Sequence, residues 1–574
     1  MTTVAELLIE SLADHGVSQV WGVVGDALNP VTDAIRREDR IDWIGVRHEE
    51  AGAFAAGAQA QLTGRLGVCM GTVGPGSIHL LNGLYDAKKS HAPVLAICGQ
   101  VPREDIGSDF FQEVDNDALF ADVAVFRATV TTADQLPALV ERAGNAALQQ
   151  RGVAVLTLPG DVGGLDLPNH TPVPRFVVDH SPAAPSTESL SRAAAAINAA
   201  GSVALLVGQG ARDARVEVLQ LAGRLSAPMV LTLKGKEGLE SDNEFEVGQS
   251  GLIGNRASAV AFEGCDLLFL VGTDFPYKNF LPSGKTIVQL DAEGAHIGRR
   301  VAVDHPLVGD TRLALEALLP LLEAKSDRSL LEKARTSYQS WRERQQQFVD
   351  PDFDRHPKGF LRRKVDNPEA RVRPELLAAL VDRHAADDAV FTADTGMATV
   401  WLARYVRMTG QRRLLGSFNL GSMANAMPQA LGAAALDRSR QVVAFCGDGG
   451  LSMLLGDLIT AVSYELPVKL VVFDNGRLGM VKLEMEQVGI PEFGTVLQNP
   501  DFARVAAAVG LRGIRVEDAH DVEAGVREAM AHPGPVLLDV LTNPDEIAVP
   551  PSPTLEQGWG FAIAKTKEFV DSPT

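Results

Sequence analysis

Residues 442–450 read Val-Val-Ala-Phe-Cys-Gly-Asp-Gly-Gly, and residues 468–477 read Val-Lys-Leu-Val-Val-Phe-Asp-Asn-Gly-Arg. Each stretch is a mostly apolar run, rich in β-branched residues, that ends in a turn containing glycine and aspartate. A strand that is apolar on both faces is typical of a parallel sheet covered by helices on both sides. The two stretches therefore predict parallel strands of an α/β fold, with polar groups where each strand ends.

The same alternation of short apolar runs and helix-period segments extends along the whole chain. Further runs lie at residues 67–70, 94–98, 153–158, 203–207, 267–271 and 536–540. Two proline-rich stretches, 171–186 and 348–374, interrupt the pattern and predict crossings between domains. We therefore predict three α/β domains at 1–170, 187–345 and 375–545, each with a mainly parallel sheet flanked by helices, and a C-terminal tail at 546–574.

Composition narrows the possible functions and locations. With 53 basic and 73 acidic residues, the net charge is −20, which argues against nucleic acid as a partner. The four cysteines form no CxxC pair and are expected to be buried and reduced, as in the cytoplasm. Residues 1–25 predict an amphipathic helix rather than a signal peptide, and no apolar run is long enough to cross a bilayer. We expect a cytoplasmic enzyme with at most weak peripheral contact at the inner face of the membrane.

The turns after residues 442–445 and 468–473 suggest a metal-diphosphate site. Ligands of open α/β sheets bind at the carboxyl ends of the strands, where the carboxylate of Asp448 and the amide of Asn475 are expected to meet. With a backbone carbonyl two residues on and phosphate oxygens, they could form an octahedral Mg²⁺ shell. A Gly-Asp-Gly turn alone is usually only a turn; the asparagine 27 residues later makes the pattern more specific.

This spacing resembles the GDG…N motif of thiamine-diphosphate (ThDP) enzymes. The resemblance implies that Asp448, Asn475 and the carbonyl of Arg477 bind the metal. It also implies that the cofactor contacts Gly449, Gly450, Gly476, Leu478, Gly479, Met480 and Val481. Asp474 departs from the family pattern, since many relatives have asparagine there.

Two further segments match the same family. Arg47-His48-Glu49-Glu50-Ala51-Gly52 resembles its glutamate segment, which implies that Glu49 bonds the aminopyrimidine ring and activates the cofactor. Otherwise, two acids at a helix start would only complement the helix dipole. Gly421-Ser422-Met423 resembles the segment that bends the cofactor, with Met423 between its rings and the carbonyl of Gly421 accepting from its amino group. Gly74-Pro75-Gly76 resembles a loop on the pyrimidine side.

Within the ThDP enzymes, the chain most resembles the pyruvate oxidase and pyruvate:quinone dehydrogenase family, from Ala5 to about Phe561. The middle domain matches its FAD-binding segments, and aspartate after a strand can accept from a ribose hydroxyl. The FAD contacts implied are Ser250, Gly251, Leu252, Ile253, Thr273, Asp274, Phe275, Pro276, Tyr277 and Asp291. Gly208-Gln209-Gly210 is a weaker dinucleotide signal, because the third glycine of that fingerprint is missing.

Residues around the reacting carbon distinguish the members of this family. Glu484 stands where the acetolactate synthases have tryptophan, and Phe111 and Gln112 match the oxidase loop near the reacting carbon. Met480 instead resembles the synthases. On balance the resemblance implies oxidative decarboxylation of pyruvate to acetate and CO₂ through hydroxyethyl-ThDP, with Glu49, Phe111, Gln112 and Glu484 as catalytic residues. Electrons then pass to FAD and on to a quinone.

Two other functions and an assembly follow from the same resemblance. An acetolactate synthase with a non-redox FAD is the nearest alternative, and a non-catalytic regulator with a ThDP fold is the second. Family members form the ThDP site between the first domain of one chain and the third domain of another, so we expect a homo-oligomer, either a dimer or a dimer of dimers. Residues 562–574 are too short and polar to predict a strong lipid-binding helix.

Overall fold

The computed structural model describes residues 2–168, 170–177, 181–356 and 367–546. Within these ranges, eighteen strands form three six-stranded sheets, and every paired strand runs parallel to its neighbour. The predicted α/β class with three mainly parallel sheets is confirmed. The predicted tail lies outside the described residues except for Glu546.

The strands divide by position in the chain. The first sheet contains β1 Gln19–Gly22, β2 Asp42–Gly45, β3 Gly67–Gly71, β4 Val94–Gln100, β5 Ala124–Thr129 and β6 Val153–Pro159. The second contains β7 Val203–Val207, β8 Met229–Leu231, β9 Glu246–Gln249, β10 Leu267–Val271, β11 Thr286–Asp291 and β12 His305–Val308. The third contains β13 Val390–Ala393, β14 Arg413–Gly416, β15 Val442–Gly447, β16 Val468–Asp474, β17 Arg512–Val516 and β18 Val536–Leu541.

Helices connect these strands. Those of the first domain are Val4–Asp14, Asn29–Arg37, Glu49–Thr63, Pro75–His79, Leu81–Lys89, Asn116–Leu119 and Leu136–Gln150. Those of the second are Thr187–Ala199, Arg215–Leu225, Lys236–Leu239, Arg256–Gly264, Thr311–Leu318 and Ser329–Gln346. Those of the third are Pro374–His384, Met397–Tyr405, Ala426–Leu436, Asp448–Met453, Leu458–Ser463, Gly479–Gln487, Phe502–Val509 and Val522–Ala531. No helix in the described part of the chain is long and apolar enough to cross a membrane.

The strand orders show one architecture used twice and another used once. The first sheet has the order β2-β1-β3-β4-β6-β5, and the third has the equivalent order β14-β13-β15-β16-β18-β17. The second sheet, read from its β9 edge, is β9-β8-β7-β10-β11-β12. Counted within the domain, this is 3-2-1-4-5-6, the order of the dinucleotide-binding fold, whose ligand lies where the order reverses. In this sheet the reversal falls between β7 and β10.

Several local predictions are confirmed. Each apolar run named above coincides with a buried strand, from β3 to β18. All four cysteines are buried. Within the predicted crossing at 171–186, Ser186 ends the segment by capping the helix Thr187–Ala199, accepting from the backbone N–H of Ser189 at 3.2 Å.

The first and third domains share one hydrophobic core. The helix Glu49–Thr63 packs along the helix Ala426–Leu436, and residues of both helices belong to the same buried cluster. The backbones come very close at Gly432, where an added Cβ would lie 2.4 Å from the carbonyl oxygen of Ala55. This contact fixes the carboxyl edges of the first and third sheets relative to each other.

A buried carboxyl group lies at the same junction. Asp86 accepts from the side-chain amide of Gln429 at 3.0 Å, while its Oδ1 has no hydrogen-bond partner among the described residues. Burial raises the pKa of Asp86 to about 6, despite the opposing charge of Lys234 and hydrogen bonds from Ser417 and Gln429. The ionised carboxylate is therefore less favourable in the folded protein than in the unfolded chain.

Asp86→Asn should change the pH dependence of stability. Because the folded pKa lies above the ordinary value of 3.8, the contribution of Asp86 is present below about pH 4 and is lost as the pH rises through about 6. The melting temperature of the variant minus that of wild type should therefore be larger at pH 8 than at pH 4. Thermal unfolding of both proteins across this range measures the difference. An offset that does not vary with pH would contradict this account.

Candidate active site

A pocket opens at the carboxyl edge of the third sheet. Its walls come mainly from the segments that follow five adjacent strands, β14, β13, β15, β16 and β18. The lining includes the predicted Met423, Asp448, Gly449, Gly450, Asn475, Arg477, Leu478, Gly479, Met480 and Val481. The fold thus brings together most of the residues predicted to bind the diphosphate and metal.

Asp448 is held in one orientation by three hydrogen bonds. Its Oδ1 accepts from the backbone N–H of Gly449 at 2.9 Å, and its Oδ2 accepts from the backbone N–H of Gly476 at 2.7 Å. The side-chain amide of Asn499 donates to Oδ2 of Asp448 and to Oδ1 of Asp474, both at 2.7 Å. The loops after β15 and β16 are therefore tied together through one carboxylate.

Buried acids concentrate negative charge at this edge. Asp394, Asp448 and Asp474 are all buried, and none forms an ion pair with a basic side chain of the described ranges. Burial raises the pKa of Asp394 to about 7, and the neighbouring charge of Asp448 acts in the same direction. Burial also raises the pKa of Asp448, with Asp474 adding to the effect. Such a group of oxygens, short of positive charge, fits a hard divalent cation.

Backbone hydrogen bonds to residues 495–497 hold the loop after β16. The side-chain Oδ1 of Asn475 accepts from the backbone N–H of Arg477 at 3.0 Å. Gly476, at φ +64°, accepts from the backbone N–H of Leu497, and the N–H of Leu478 donates to Thr495, both at 2.8 Å. This antiparallel bracing holds Asn475 at the pocket.

The glycines of the β15 turn allow close packing against neighbouring protein atoms. An added Cβ at Gly450 would lie 2.4 Å from Oδ2 of Asp394, and one at Gly449 would lie 2.9 Å from Leu478. Met423 reaches the pocket with its methyl group 3.4 Å from that Gly449 position. Gly421, at φ +81°, has open space on its side-chain face, whereas Ser422 accepts from Asn82 of the first domain at 2.9 Å.

The remaining predicted residues of the cofactor site lie at the carboxyl edge of the first sheet. Glu49 begins the helix Glu49–Thr63 and is nearly buried. Its carboxylate lies 2.9 Å from Nδ1 of His79 and faces Gly76 of the predicted loop. Gln112, at φ +67°, contacts the same loop, since a Cβ at Gly74 would lie 2.7 Å from its carbonyl oxygen, and Phe111 is 78% exposed.

Within one chain these two groups of residues remain separate. No first-domain residue lines the pocket around Asp448, whereas Glu49 and Gln112 lie against Gly76 and Gly74 of one first-domain loop. Each group lies at a sheet edge and is open on one side, as the exposures of Phe111 (78%) and of Val481 (40%) at the pocket show. A single chain therefore presents two half-sites.

The predicted flavin segments converge at the carboxyl edge of the second sheet. A Cβ at Gly251 would lie 3.1 Å from Tyr277 and 3.3 Å from Phe275, so the two glycine-containing segments touch. Ile253 packs against the core of the third domain, while Ser250, Thr273 and Asp291 are buried. Leu252, Asp274 and Pro276 are partly exposed in the same two segments.

Polar groups surround these segments. His296 Nδ1 lies 3.2 Å from Asp291, and Arg300 lies 3.2 Å from Asp274. The buried amide nitrogens of Gln249 and Asn255, at the two ends of the Ser250–Ile253 segment, have no acceptor among the described residues. Gly208 and Gly210 lie against the backbone of Gly272, at the reversal of strand order. This chemistry and topology fit a dinucleotide.

The second and third domains meet beside the pocket. Met480 and Glu484 lie four residues apart on the helix Gly479–Gln487, on the same face, and Met480 lines the pocket. Tyr277 of the second domain lies close to Glu484: burial raises the pKa of the Tyr277 phenol, and the charge of Glu484 adds to the shift. One helix thus joins the two sites.

Several residues of the two sites escaped prediction. Gly396, Met397, Trp401, Thr542, Asn543 and Glu546 line the pocket, and Asp394, Asn499 and His79 contact predicted residues. Thr542 and Asn543 follow a strand that the sequence does reveal, so the rule that ligands bind at carboxyl ends could have found them. His79 and Asn499 carry no local signal, because only the fold brings them close.

Comparison with known proteins agrees with this architecture. Three thiamine pyrophosphate enzyme domains match the chain: the N-terminal thiamine pyrophosphate binding domain at residues 2–119, the central domain at 190–318 and the C-terminal thiamine pyrophosphate binding domain at 394–540. The chain belongs to the thiamine pyrophosphate (ThDP) enzyme family.

Similar full-length proteins carry different names. YdaP of Bacillus subtilis, named as a thiamine pyrophosphate-containing protein, is 37% identical over 99% of this chain and 96% of its own. Pyruvate oxidase of Lactiplantibacillus plantarum is 30% identical over 94% of this chain and 88% of its own. The acetolactate synthase large subunit of Parasynechococcus marenigrum is 31% identical over 96% of this chain and 89% of its own. The name of YdaP gives a cofactor, whereas the names of the other two relatives give two different reactions.

Proposed function

We propose that this protein is a ThDP- and FAD-dependent oxidoreductase that converts pyruvate and water to acetate and CO₂, passing two electrons and two protons to a quinone. The observation that carries this proposal is that Ile253, in a candidate flavin segment, and Met480, which lines the pocket, pack against the same buried cluster. Tyr277 of the flavin segment also lies near Glu484 of the pocket helix, whose charge raises the pKa of the phenol further than burial does alone. This proximity supports a reaction in which electrons cross from one site to the other.

The residues at the third-sheet edge fit ThDP and Mg²⁺. Asp448, Asn475 and the carbonyl of Arg477 would hold the metal, and Gly449 and Gly450 would admit the diphosphate to the start of a helix. Asn499 orients Asp448 through the hydrogen bond described above, and Asp394 accepts from the backbone N–H of Gly447 at 3.1 Å, which holds the start of the β15 turn. When bound, ThDP supplies an electron sink for loss of CO₂ from a 2-keto acid.

Glu49 holds and delivers the proton that this chemistry needs. It is nearly buried at the first-sheet edge, where it faces the Gly74-Pro75-Gly76 loop. Phe111 and Gln112 border the same loop and would limit the space at the keto group of pyruvate. Glu484 would approach from the side of the flavin segment.

FAD would occupy the second domain. Ser250–Ile253 and Thr273–Tyr277 touch each other, Asp291 ends β11, and the strand order is that of dinucleotide-binding sheets. The buried amides of Gln249 and Asn255 offer unused donors to an acceptor-rich nucleotide. These features support FAD binding but not by themselves a redox role.

An acetolactate synthase is the second candidate, supported by Met480 at the pocket and by the synthases among the relatives. Product analysis of the enzyme with ThDP, Mg²⁺, FAD, pyruvate and a soluble quinone separates the two. We expect one acetate and one CO₂ for each quinone reduced, with no acetolactate. Acetolactate as the main product, without quinone reduction, would replace our proposal with the synthase.

We further propose that the complete site forms between two chains, with Glu49 of one facing Asp448 of another in a dimer or a dimer of dimers. The two half-sites of a single chain support this arrangement. A symmetric dimer would contain two such sites, each with one half from either chain.

Mixed oligomers test this arrangement. In a hybrid of Glu49→Gln and Asp448→Asn chains, one site carries both substitutions and the other carries neither. Subunit exchange between these two inactive variants should therefore restore up to about a quarter of wild-type activity. Matched mixtures of either variant with a double mutant should stay inactive. Failure of the exchanged hybrids, with mixing verified by a tag, would place the whole site within one chain.

A further inference from the structure

Three side chains meet at the start of the helix Glu49–Thr63. Nδ1 of His79 lies 2.9 Å from Oε2 of Glu49, and the His79 ring stacks on the ring of His48, with centroids 4.3 Å apart and an interplanar angle of 23°. The Glu49 side chain is 10% exposed, whereas those of His48 and His79 are 39% and 41% exposed. Glu49 is therefore a buried acid that is hydrogen-bonded to His79, and His79 stacks on His48 at the solvent-exposed side of the group.

The two oxygens of Glu49 have different surroundings. Oε2 is bound by the imidazole of His79, while Oε1 faces Gly76, where an added Cβ would lie only 3.2 Å away. The neighbouring Glu50 differs from Glu49, since it accepts from the side-chain amide of Asn82 at 2.6 Å. Glu49 thus presents one oxygen to His79 and the other to the glycine loop, whereas Glu50 is bonded to Asn82 and has Oε2 3.9 Å from Nδ1 of His48.

His48 holds the His79 ring in place. It is the residue before the helix, and its Nδ1 accepts from the backbone N–H of Glu50 at 3.3 Å, which couples the ring orientation to the helix start. Stacking on this ring restricts the rotation of His79. Although the three residues offer ligand atoms within 4.8 Å of one another, nearly parallel stacked rings direct their nitrogen lone pairs side by side rather than toward one ion.

We propose that His79 is a positioning residue that selects which oxygen of Glu49 carries the exchangeable proton. As the Nδ1–H tautomer, His79 donates to Oε2 and leaves that oxygen without a proton. The carboxyl proton then resides on Oε1, the oxygen toward the Gly74-Pro75-Gly76 loop, where the aminopyrimidine nitrogen would accept it. This inference rests on the proposed role of Glu49 toward ThDP, and it does not depend on pyruvate, flavin or quinone.

The test is hydrogen exchange at C2 of bound ThDP. The wild-type protein and its variants, loaded with ThDP and Mg²⁺ in D₂O without pyruvate, are quenched in acid, and the C2 proton is followed by NMR. His79→Ala should slow exchange at least about tenfold, the usual scale for losing a supporting hydrogen bond, while ThDP and Mg²⁺ affinities stay within about threefold. His79→Asn should recover most of the rate, because its amide nitrogen can donate from nearly the position of Nδ1.

The variants also distinguish the role of His79 from the role of Glu49. Exchange at the wild-type rate in His79→Ala, together with slow exchange in Glu49→Gln, would overturn the role of His79 alone. Exchange as slow in His79→Asn as in His79→Ala would also overturn the role of His79, because a hydrogen-bond donor at position 79 would then not restore the exchange rate. Wild-type exchange in Glu49→Gln would overturn both this inference and the assignment of Glu49.

Discussion

Glu49→Gln should lower pyruvate turnover at least about 100-fold, the usual scale for losing a general acid–base group, while ThDP and Mg²⁺ remain bound. Glutamine preserves the shape and an oxygen that His79 can bond, but it has no carboxyl proton to share with the pyrimidine ring. The residue lies outside the Asp448 pocket of its own chain, so the metal ligands are untouched. Steady-state rates and calorimetric titration with ThDP and Mg²⁺ measure the two effects separately.

Glu50→Gln is the matched control. It changes the same functional group one residue further along the same helix, but Glu50 is bonded to Asn82 rather than to His79. Its turnover should stay within about threefold of wild type, as expected for a residue outside the acid–base machinery. Equal losses in the two variants would show that charge at the helix start, rather than the position of Glu49, is what matters.

The second large effect is expected at the metal site. Asp448→Asn should weaken Mg²⁺ binding at least about 100-fold and abolish turnover at ordinary Mg²⁺ concentrations, because a hard cation loses its charged ligand. The amide would also place donor hydrogens toward the N–H groups of Gly449 or Gly476, which now donate to the carboxylate. Mn²⁺ binding followed by electron paramagnetic resonance measures the affinity directly.

Asp474→Asn provides the comparison for this substitution. Asp474 lies next to Asn475 and accepts from the same Asn499 amide, but an asparagine oxygen can accept that bond equally well. Its Mn²⁺ affinity should fall by less than about tenfold, as for a residue that does not ligate the metal. A loss equal to that of Asp448→Asn would show that Asp474 also binds the metal, and wild-type affinity in Asp448→Asn would remove Asp448 from the metal site.

The interior of each sheet could be predicted from the sequence, but its edges could not be predicted as well. The apolar run at 94–98 is continuous and the one at 468–473 is interrupted only by the buried Lys469, because β4 and β16 lie between other strands and are buried on both faces. The edge strand β5 contains only exposed and half-buried positions, and β17 has buried residues only in its second half, so their apolar pattern is broken. Strand order, which places the second domain among dinucleotide-binding sheets, is a long-range property that no local pattern reveals.

The contacts of the candidate site likewise include some that could be predicted from the sequence and some that could not. Asp448 and Asn475 follow two adjacent parallel strands, so their meeting could be predicted from strand ends alone. The hydrogen-bonded pair Glu49 and His79 joins residues 30 positions apart on separate helices, and Tyr277 of the second domain lies near Glu484 of the third. Those contacts depend on how helices and domains pack, which lies beyond local sequence patterns.

The central claim is that electrons from pyruvate enter the flavin of the second domain. Its most direct test is anaerobic stopped-flow mixing of pyruvate with the protein loaded with ThDP, Mg²⁺ and FAD. We expect the oxidised flavin absorbance to bleach in a single turnover, to return when quinone is added, and to persist in Glu49→Gln. Consumption of pyruvate by the wild-type protein with no change in flavin absorbance would contradict the claim.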